Sequence, residues 1–264
     1  GRYRKLQISF GAPTLRFRMV VNYEDGTSET IVSGKDWKYD FSPVLFNCIY
    51  GGEDYDARRE QKGWNMFGFK EQDWRPVVIQ EAPKGVLRPQ IAQPVKIMER
   101  YDIRKVTKLT AEQITAACKS TKRTVDPSAF VLDMGQNLAG FPEITVRGKK
   151  GQKITLLVSE SLTDEGACNQ RQTGRQHYYE YTLKGEGVET WHPRFSYYGF
   201  RYIQVEGAVM MPSYMKNDEQ KAIFAGAKVN DVLVFNPNTA WDGNAAELSS
   251  LLKIDKEAAP EVKS

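Results

Sequence analysis

Long apolar runs and charge of a single sign are both missing from this 264-residue sequence. No apolar run approaches the ~20 residues that a membrane span requires. Residues 1–5 lack the hydrophobic stretch of a signal peptide. The formal net charge is only +4, and acidic and basic residues are interleaved rather than grouped. We therefore expect neither a membrane nor a nucleic-acid partner.

Cysteine and histidine are scarce, with three and two copies respectively. Cys48, Cys118 and Cys168 lie far apart without C-x-x-C spacing, which argues against a disulfide framework or a structural zinc site. His177 and His192 have no nucleophile pattern such as G-x-S-x-G nearby, so a hydrolase triad is not expected. Both histidines are interpreted as structural.

What the sequence does contain is a succession of alternating strand patterns separated by turn residues. Residues 15–21 and 27–32 flank Glu24-Asp25-Gly26, which is typical of a β-hairpin. From residue 130 the turn signals recur every 8–12 residues, and no βαβ rhythm is present. The predicted fold class is all-β, with two antiparallel, jelly-roll-like β-sandwich domains, a short helical insertion and a partly helical C-terminal tail.

A connector rich in proline separates the two predicted domains. Residues 81–94 contain three prolines and one glycine among small and polar residues. The domain assignment is therefore an N-terminal accessory β-sandwich over 1–85, which is incomplete, a linker over 86–94, a second β-sandwich over 95–207, and a tail over 208–264.

Several elements are predicted within these domains. Strands are expected over 44–50, 74–79 and 95–106, and a long loop over 53–71. Thr110 and Gln113 have capping-box spacing, which predicts a short helix. In the tail we expect one strand over 232–235, one helix over 244–254, and a disordered end.

A polar triplet follows an apolar strand pattern at residues 130–137. Asp133, Gln136 and Asn137 surround Gly135, so the strand is expected to end in a turn that presents carboxylate and amide groups. Such groups suit sugar hydroxyls. Carboxylates at strand ends, including Asp133 and Glu160, are usually solvated or bonded to turns, so neither is assigned a catalytic role.

A second polar cluster begins beside a Gly-Gly turn. Glu53, Asp54 and Asp56 offer hard oxygen ligands on a predicted loop, which is the chemistry that calcium prefers. Trp64 is a candidate ring for stacking on a sugar, and Arg58 is a candidate donor of hydrogen bonds to sugar hydroxyls. The alternative is structural: the aromatic rings pack in a core, and Arg58 pairs with a neighbouring carboxylate.

These motifs together resemble a known family. The run D-x-G-Q-N, then V-R-G-x-x-G, S-E-S-L, Y-x-Y-x-L-K-G and W-x-P-R-F-x-Y-x-G-F-R-Y, is similar to the β-sandwich domain that precedes the catalytic barrel in bacterial α-L-rhamnosidases. Upstream, Y-G-G-E-D-Y-D-A-R with the later G-W and D-W pairs resembles the accessory domain of that family. The resemblance covers roughly residues 15–207, and the helix after Thr110 is an insertion relative to it.

The resemblance implies where the chemistry lies. The general acid and base of the family belong to a helical barrel that follows the sandwich, so no catalytic residue is expected in this chain. Some relatives bind rhamnose through the accessory domain with the help of calcium. No cofactor is required by this interpretation, and calcium at Glu53, Asp54 and Asp56 is possible.

The resulting hypothesis is a non-catalytic β-sandwich portion of an α-L-rhamnosidase-like glycoside hydrolase. It would contribute sugar contact or structural support to a catalytic barrel, and the parent enzyme would hydrolyse terminal α-L-rhamnosyl linkages with inversion. Its partners would be L-rhamnose-containing glycans and that barrel, and the resemblance favours an exported protein, periplasmic or extracellular. The alternatives are a free-standing carbohydrate-binding protein and a purely structural domain.

Overall fold

The computed structural model describes residues 14–81, 86, 88–171, 176–210 and 233–235. Its strands, in chain order, are β1 (Arg18–Asn22), β2 (Ser28–Val32), β3 (Lys38–Tyr39), β4 (Val44–Cys48), β5 (Gly52–Asp56), β6 (Arg75–Pro76), β7 (Lys105–Lys108), β8 (Phe130–Gly140), β9 (Ile144–Arg147), β10 (Lys153–Ser159), β11 (Tyr178–Thr182), β12 (Val188–Trp191), β13 (Tyr198–Glu206), β14 (Val209–Met210) and β15 (Leu233–Phe235). One α-helix, α1, spans Ala111–Thr121, and a 3₁₀ turn spans Ala57–Arg59.

The chain divides into two compact units. Of the described residues, the larger unit contains Pro43–Glu60 and those from Tyr101 onward, whereas the smaller contains those in 14–42 and 61–100. The linker over 86–94 stays a prediction. The segment Pro43–Glu60, which the sequence pattern places in the N-terminal domain, belongs to the larger unit because β5 is hydrogen-bonded into its main sheet.

The main sheet of the larger unit has seven strands in the order β4-β5-β11-β10-β13-β8-β7. Its neighbours pair antiparallel, except that β5 and β11 run parallel. A second sheet has four strands in the order β12-β9-β15-β14, in which β14 and β15 are parallel. The two sheets enclose the principal core, so the larger unit is a β-sandwich.

The core between the sheets is built from alternate residues of facing strands. Ile154, Leu156 and Val158 of β10 point into it, and Ile144 and Val146 meet them from β9. Three rings close one side of this core: the ring centroids of Tyr55 and Tyr181 lie 5.9 Å apart, and those of Tyr181 and Trp191 5.1 Å apart. Aromatic pairs in such tilted or offset arrangements add to the stability that burial of the rings provides.

The opposite face of the main sheet carries a second apolar cluster under α1. Ala117 of the helix packs there with Leu109, Val125 and Val131. The predicted capping box is confirmed: the Thr110 side chain accepts from the Gln113 backbone N–H, and Gln113 Oε1 accepts from the Thr110 backbone N–H. The helix therefore packs against this face of the sheet and buries its apolar residues.

The smaller unit contains two two-stranded antiparallel sheets, β1-β2 and β3-β6. The hairpin predicted at Glu24-Asp25-Gly26 is confirmed, and Asp25 Oδ1 accepts from Thr27 N at 2.9 Å in its turn. Trp74 Nε1 donates to Gln61 Oε1 at 2.7 Å, which anchors the long segment between them. None of the described residues in 14–42 and 61–100 is fully buried.

The predicted all-β fold class and the short helical insertion are confirmed, but several boundaries were wrong. The predicted loop over 53–71 begins inside β5, the strand predicted over 95–106 forms only from Lys105, and that over 74–79 is reduced to Arg75–Pro76. The tail strand is confirmed as Leu233–Phe235, whereas the helix predicted over 244–254 lies outside the described residues. Among the described residues, no helix is long and apolar enough to cross a membrane.

Gly52 marks the closest approach between β5 and β11. Its φ is +90°, and a Cβ added there would lie 2.0 Å from the carbonyl oxygen of Tyr178. Gly187 has a similar φ of +88°, but a Cβ there would meet nothing within 4 Å. Substituting alanine at each of the two glycines therefore separates the energetic cost of backbone strain from that of the steric clash.

We expect Gly187→Ala to lower the free energy of unfolding by about 1–2 kcal/mol, the cost of a left-handed alanine. Gly52→Ala should cost about 4 kcal/mol or more, because the new methyl group collides with backbone that cannot move without breaking the β5–β11 pairing. Urea unfolding of both variants measures the difference. Equal losses would contradict the close approach.

Candidate functional site

The acidic residues beside the Gly-Gly turn lie on a strand, not on a loop. Because side chains alternate along β5, Glu53 and Tyr55 point to one face of the sheet and Asp54 and Asp56 to the other. Tyr55 is part of the core between the sheets. The strand therefore separates Glu53 from the other two predicted calcium ligands, Asp54 and Asp56.

Glu53 is fully buried and bonded to backbone. Its carboxylate accepts from Arg194 N at 3.1 Å and from Phe195 N at 3.2 Å, and from Asn47 Nδ2 at 3.2 Å. Burial raises the pKa of Glu53, and the two backbone N–H groups oppose that rise. The side chain ties β5 to the loop before β13.

Asp56 is committed to arginine. Arg58 Nε and Nη2 each donate to its carboxylate at 2.8 Å, and Arg58 N donates at 3.1 Å. The hydrogen bond from the Arg58 side chain is the main reason that the pKa of Asp56 is lowered. Arg58 therefore pairs with a neighbouring carboxylate, as the structural alternative predicted. Within the described part of the chain, no group of three or more His, Cys, Asp or Glu side chains could hold a metal ion.

The D-x-G-Q-N run does not end a strand in a turn, which corrects the sequence prediction. All five residues lie within β8, which continues from Phe130 to Gly140. The register with β13 shifts between Phe200 and Tyr202, so an irregularity of the bulge type absorbs the extra residues. Gly135 adopts a φ of +84° at this place, which explains the turn-like signal.

Asp133 is held on both oxygens. Arg201 Nε and Nη2 donate to Oδ1 and Oδ2 at 2.8 and 2.9 Å, and Gly135 N donates to Oδ1 at 2.7 Å. The Arg201 side chain lowers the pKa of Asp133. This bidentate pair bridges β8 and β13 beside the irregularity, so Asp133 has a structural task whether or not it contacts a ligand.

The two amides of the run are solvent-facing. Gln136 and Asn137 are exposed, and Asn137 Nδ2 donates to Glu160 Oε1 at 2.8 Å. Trp64 belongs to the smaller unit and is 61% exposed. Of the sugar-contact candidates, the structure groups Asp133, Gln136 and Asn137 on one strand, while Arg58 lies after β5.

A cavity that the sequence did not indicate lies on the helix side of the main sheet. Its volume is about 170 Å³, and it is lined by the end of α1, residues 167–171, and one residue each from β10 and β13. These residues come from positions 121 to 204, so no local motif could have revealed it.

Two family profiles match two separate parts of the chain, as the two sets of motifs do. A profile described as the α-L-rhamnosidase N-terminal domain matches residues 1–99, and one described as the bacterial α-L-rhamnosidase concanavalin-like domain matches residues 123–225. The chain carries the N-terminal domains of the bacterial α-L-rhamnosidase family. A third profile, described as a probable trigger factor, FKBP-like domain, matches residues 201–264, most of which lie outside the described residues.

Individual rhamnosidases agree with this membership. The chain is 36% identical over 206 residues to an α-L-rhamnosidase of Streptomyces avermitilis, a match that covers 76% of this chain and 18% of that protein. It is 30% identical over 232 residues to one of Formosa agariphila, covering 85% of this chain and 22% of that protein. The chain therefore spans about a fifth of the length of these relatives.

Solved rhamnosidase structures share the fold. The α-L-rhamnosidase of Dictyoglumus thermophilum superposes with a TM-score of 0.63 at 32% identity, over 73% of this chain and 20% of that one. The Streptomyces avermitilis α-L-rhamnosidase, solved in complex with L-rhamnose, gives 0.61 at 35% identity, over 72% of this chain and 17% of that one. These chains therefore share the fold of the matched region.

We expect Glu53→Ala to lower the free energy of unfolding by about 1–3 kcal/mol, because two backbone N–H groups lose their acceptor. Asp54→Ala, on the opposite face of the same strand, should cost less. Thermal or urea unfolding of the two variants tests this. A larger loss for Asp54→Ala would contradict the anchoring role of Glu53.

The Asp133–Arg201 pair predicts a pH dependence of stability. Because the folded pKa of Asp133 lies below its unfolded value, its contribution is present above the unfolded pKa and is lost as the pH falls through the folded pKa. Asp133→Asn should therefore be less stable than the parent at pH 7, and the difference should vanish in acid.

The double variant Asp133→Asn/Arg201→Gln is the matched control for this pair. Its free energy of unfolding should be little lower than that of Asp133→Asn alone, because the two side chains share one interaction. Fully additive losses at pH 7, measured by urea unfolding, would show that the ion pair does not stabilise the sheet.

Proposed function

We propose that this chain is a non-catalytic β-sandwich portion of an α-L-rhamnosidase-like glycoside hydrolase and that it supports a catalytic domain. The observation that carries the proposal is the position of the match. The relatives are α-L-rhamnosidases, and this chain corresponds to only 18–22% of the two compared by sequence, in regions that the family profiles describe as N-terminal and concanavalin-like.

The carboxylates of the described residues favour a supporting role. Glycoside hydrolysis requires two carboxyl groups facing each other across a sugar, ~5–5.5 Å apart for retention or ~6.5–9.5 Å for inversion. Glu53 and Asp133 are bound to backbone or arginine, and Glu206 accepts from Arg123 Nη1 at 2.7 Å. Such groups stabilise a fold and are poorly placed to move protons.

The packing also suits a scaffold. The main sheet is covered on one face by the second sheet and on the other by α1, so both faces bury apolar side chains. A sheet packed on two sides resists bending and can hold a neighbouring domain in a fixed position. In the parent enzyme, this neighbour would be the catalytic barrel that hydrolyses terminal α-L-rhamnosyl linkages.

Direct contact with a rhamnose-containing glycan is the second candidate function. It is favoured by the exposed amides of Gln136 and Asn137, which lie beside the Glu160 carboxylate on the surface of β8. Donors and acceptors of this kind complement sugar hydroxyls. A free-standing carbohydrate-binding protein would use the same surface.

The supporting role predicts that the isolated chain does not hydrolyse p-nitrophenyl α-L-rhamnoside. Release of nitrophenol should equal the blank under conditions in which an intact α-L-rhamnosidase is active, because Glu53, Asp133 and Glu206 are held by backbone N–H groups or arginine. Turnover that co-purifies with the chain and is lost in Glu160→Gln would overturn the proposal.

A further inference from the structure

The two ends of the sandwich carry different kinds of loop. At one end β4, β8, β10 and β12 finish and β5, β9, β11 and β13 begin, as the strand registers require. The turn between β4 and β5 and the loop between β12 and β13 both lie there. These two loops expose four large apolar side chains, by 50%, 39%, 66% and 44% respectively: Ile49, Tyr50, Phe195 and Tyr197. We call these four residues the apolar end.

The opposite end of the sandwich is charged. Its loops expose Arg58 after β5, Lys149 and Lys150 between β9 and β10, and Glu186 between β11 and β12. Val188, at the start of β12, is an exposed apolar residue at this end. Water solvates charged loops well, so the contrast singles out the apolar end as a surface for a partner.

Glu53 joins the two loops of the apolar end. Its Oε2 atom accepts from Asn47 Nδ2 at 3.2 Å and from Phe195 N at 3.2 Å, and Asn47 lies in β4, two residues before Ile49. Because Glu53 is fully buried, water competes poorly for these bonds. The backbone that carries Phe195 is therefore fixed before a partner arrives, which reduces the entropy lost on docking.

The two loops are also neighbours through their tyrosines. Burial raises the pKa of Tyr198, and the nearby Glu160 and Tyr50 raise it further. At the start of the second loop, His192 stacks on Phe141 with ring centroids 5.0 Å apart. The four exposed side chains therefore belong to one surface rather than to separate projections.

The exposed area has the size of an interaction patch. With roughly 150–250 Å² per aromatic side chain, the exposed fractions of the three rings leave about 200–400 Å² of apolar surface. Monomers rarely expose contiguous patches beyond a few hundred Å², and patches of this size are often functional. Phenylalanine and tyrosine are also enriched at the centre of protein–protein interfaces.

The chemistry of the apolar end favours a protein partner. Residues 49–51 carry no charge, and Arg194 is the single arginine or lysine of residues 192–197. An anionic membrane or a nucleic acid is bound by a cluster of basic side chains, which these two loops lack. In the two relatives compared by sequence, about four fifths of the polypeptide lies outside the matched region. Such an enzyme therefore contains a partner of sufficient size.

We propose that the apolar end docks on the catalytic domain of the parent enzyme, with Phe195 and Tyr197 inserted into an apolar groove of that domain. The inference rests on the proposed supporting role and deepens it, because it assigns the end of the sandwich through which the support is transmitted.

A hybrid enzyme tests the docking. In it, the region of the Streptomyces avermitilis α-L-rhamnosidase that matches this chain is replaced by the matched residues of this chain. Phe195→Ser/Tyr197→Ser should lower the thermal unfolding temperature of the hybrid by about 5 °C or more, because two anchors of the interface are lost. In the isolated chain, the same double variant should shift the unfolding temperature by less than about 2 °C, since substitutions of exposed side chains alter stability little.

Val188→Ser is the matched control, because Val188 is 57% exposed at the charged end. It should leave the unfolding temperatures of the hybrid and of the isolated chain within about 2 °C of their parents. A shift of the hybrid as large as that of the double variant would show that the hybrid is fragile everywhere, and would contradict docking through one end.

A second framework guards against a hybrid that does not fold. The same exchange is made in the Dictyoglumus thermophilum α-L-rhamnosidase, which shares the fold of the matched region. Failure of both parent hybrids to fold would contradict the inference, because neither catalytic domain would then accept this surface.

Three further outcomes would overturn the inference. Equal losses of the double variant in the hybrid and in the isolated chain would mean that the rings are covered within this chain. An unchanged hybrid would place the contact elsewhere on the sandwich. Concentration-dependent association of the isolated chain in sedimentation, abolished by the double variant, would assign the apolar end to a second copy. None of these results concerns hydrolysis by the isolated chain, so the turnover assay judges the proposed function separately.

Discussion

The parallel pairing of β5 with β11 is the constraint on which the larger unit depends. It inserts residues 52–56 into a sheet whose other strands, apart from β4, all come after residue 100. The approach is so close at Gly52 that no side chain fits there. Tyr55 then enters the core beside Tyr181 and Trp191, and Glu53 ties the strand to the loop before β13. A short acidic segment thus joins the early part of the chain to the sandwich.

Features that depend on neighbouring residues could be predicted from the sequence. The hairpin at Asp25-Gly26 and the capping box at Thr110 and Gln113 are formed by contacts within a few residues, so their patterns are legible. The family resemblance also preserved the order of the motifs. The rhamnosidase-type β-sandwich that this resemblance predicted is confirmed by the family match over residues 123–225.

Features that depend on distant partners could not be predicted in the same way. β5 contains three carboxylates and a glycine, a composition typical of a loop, and becomes a strand only because β4 and β11 flank it. Gly135 has the positive φ, +84°, that its turn-like sequence predicts. The chain nevertheless does not turn there, because β8 pairs with β13 on both sides of a shift in register. The same is true of two candidate site residues, because Glu53 is bound by Arg194 N and Asp133 by Arg201, which are distant in the sequence.

The two faces of the main sheet divide the work of the sandwich. One face forms the large core with the second sheet, and its rigidity suits a domain that supports another. The other face carries α1 and a smaller apolar cluster, and Val125 and Ala167 of that cluster also line the cavity. The two faces of the main sheet are therefore packed against different elements, the second sheet on one side and α1 on the other.

Native-state hydrogen exchange of the β5 amides tests the central claim most directly. If residues 52–56 are an integral strand, their amides should exchange with the same opening free energy as those of β10 and β13, because the sheet unfolds as one unit. Exchange of β5 at the faster rate of the β1–β2 hairpin would contradict the account, and would return this segment to the N-terminal domain.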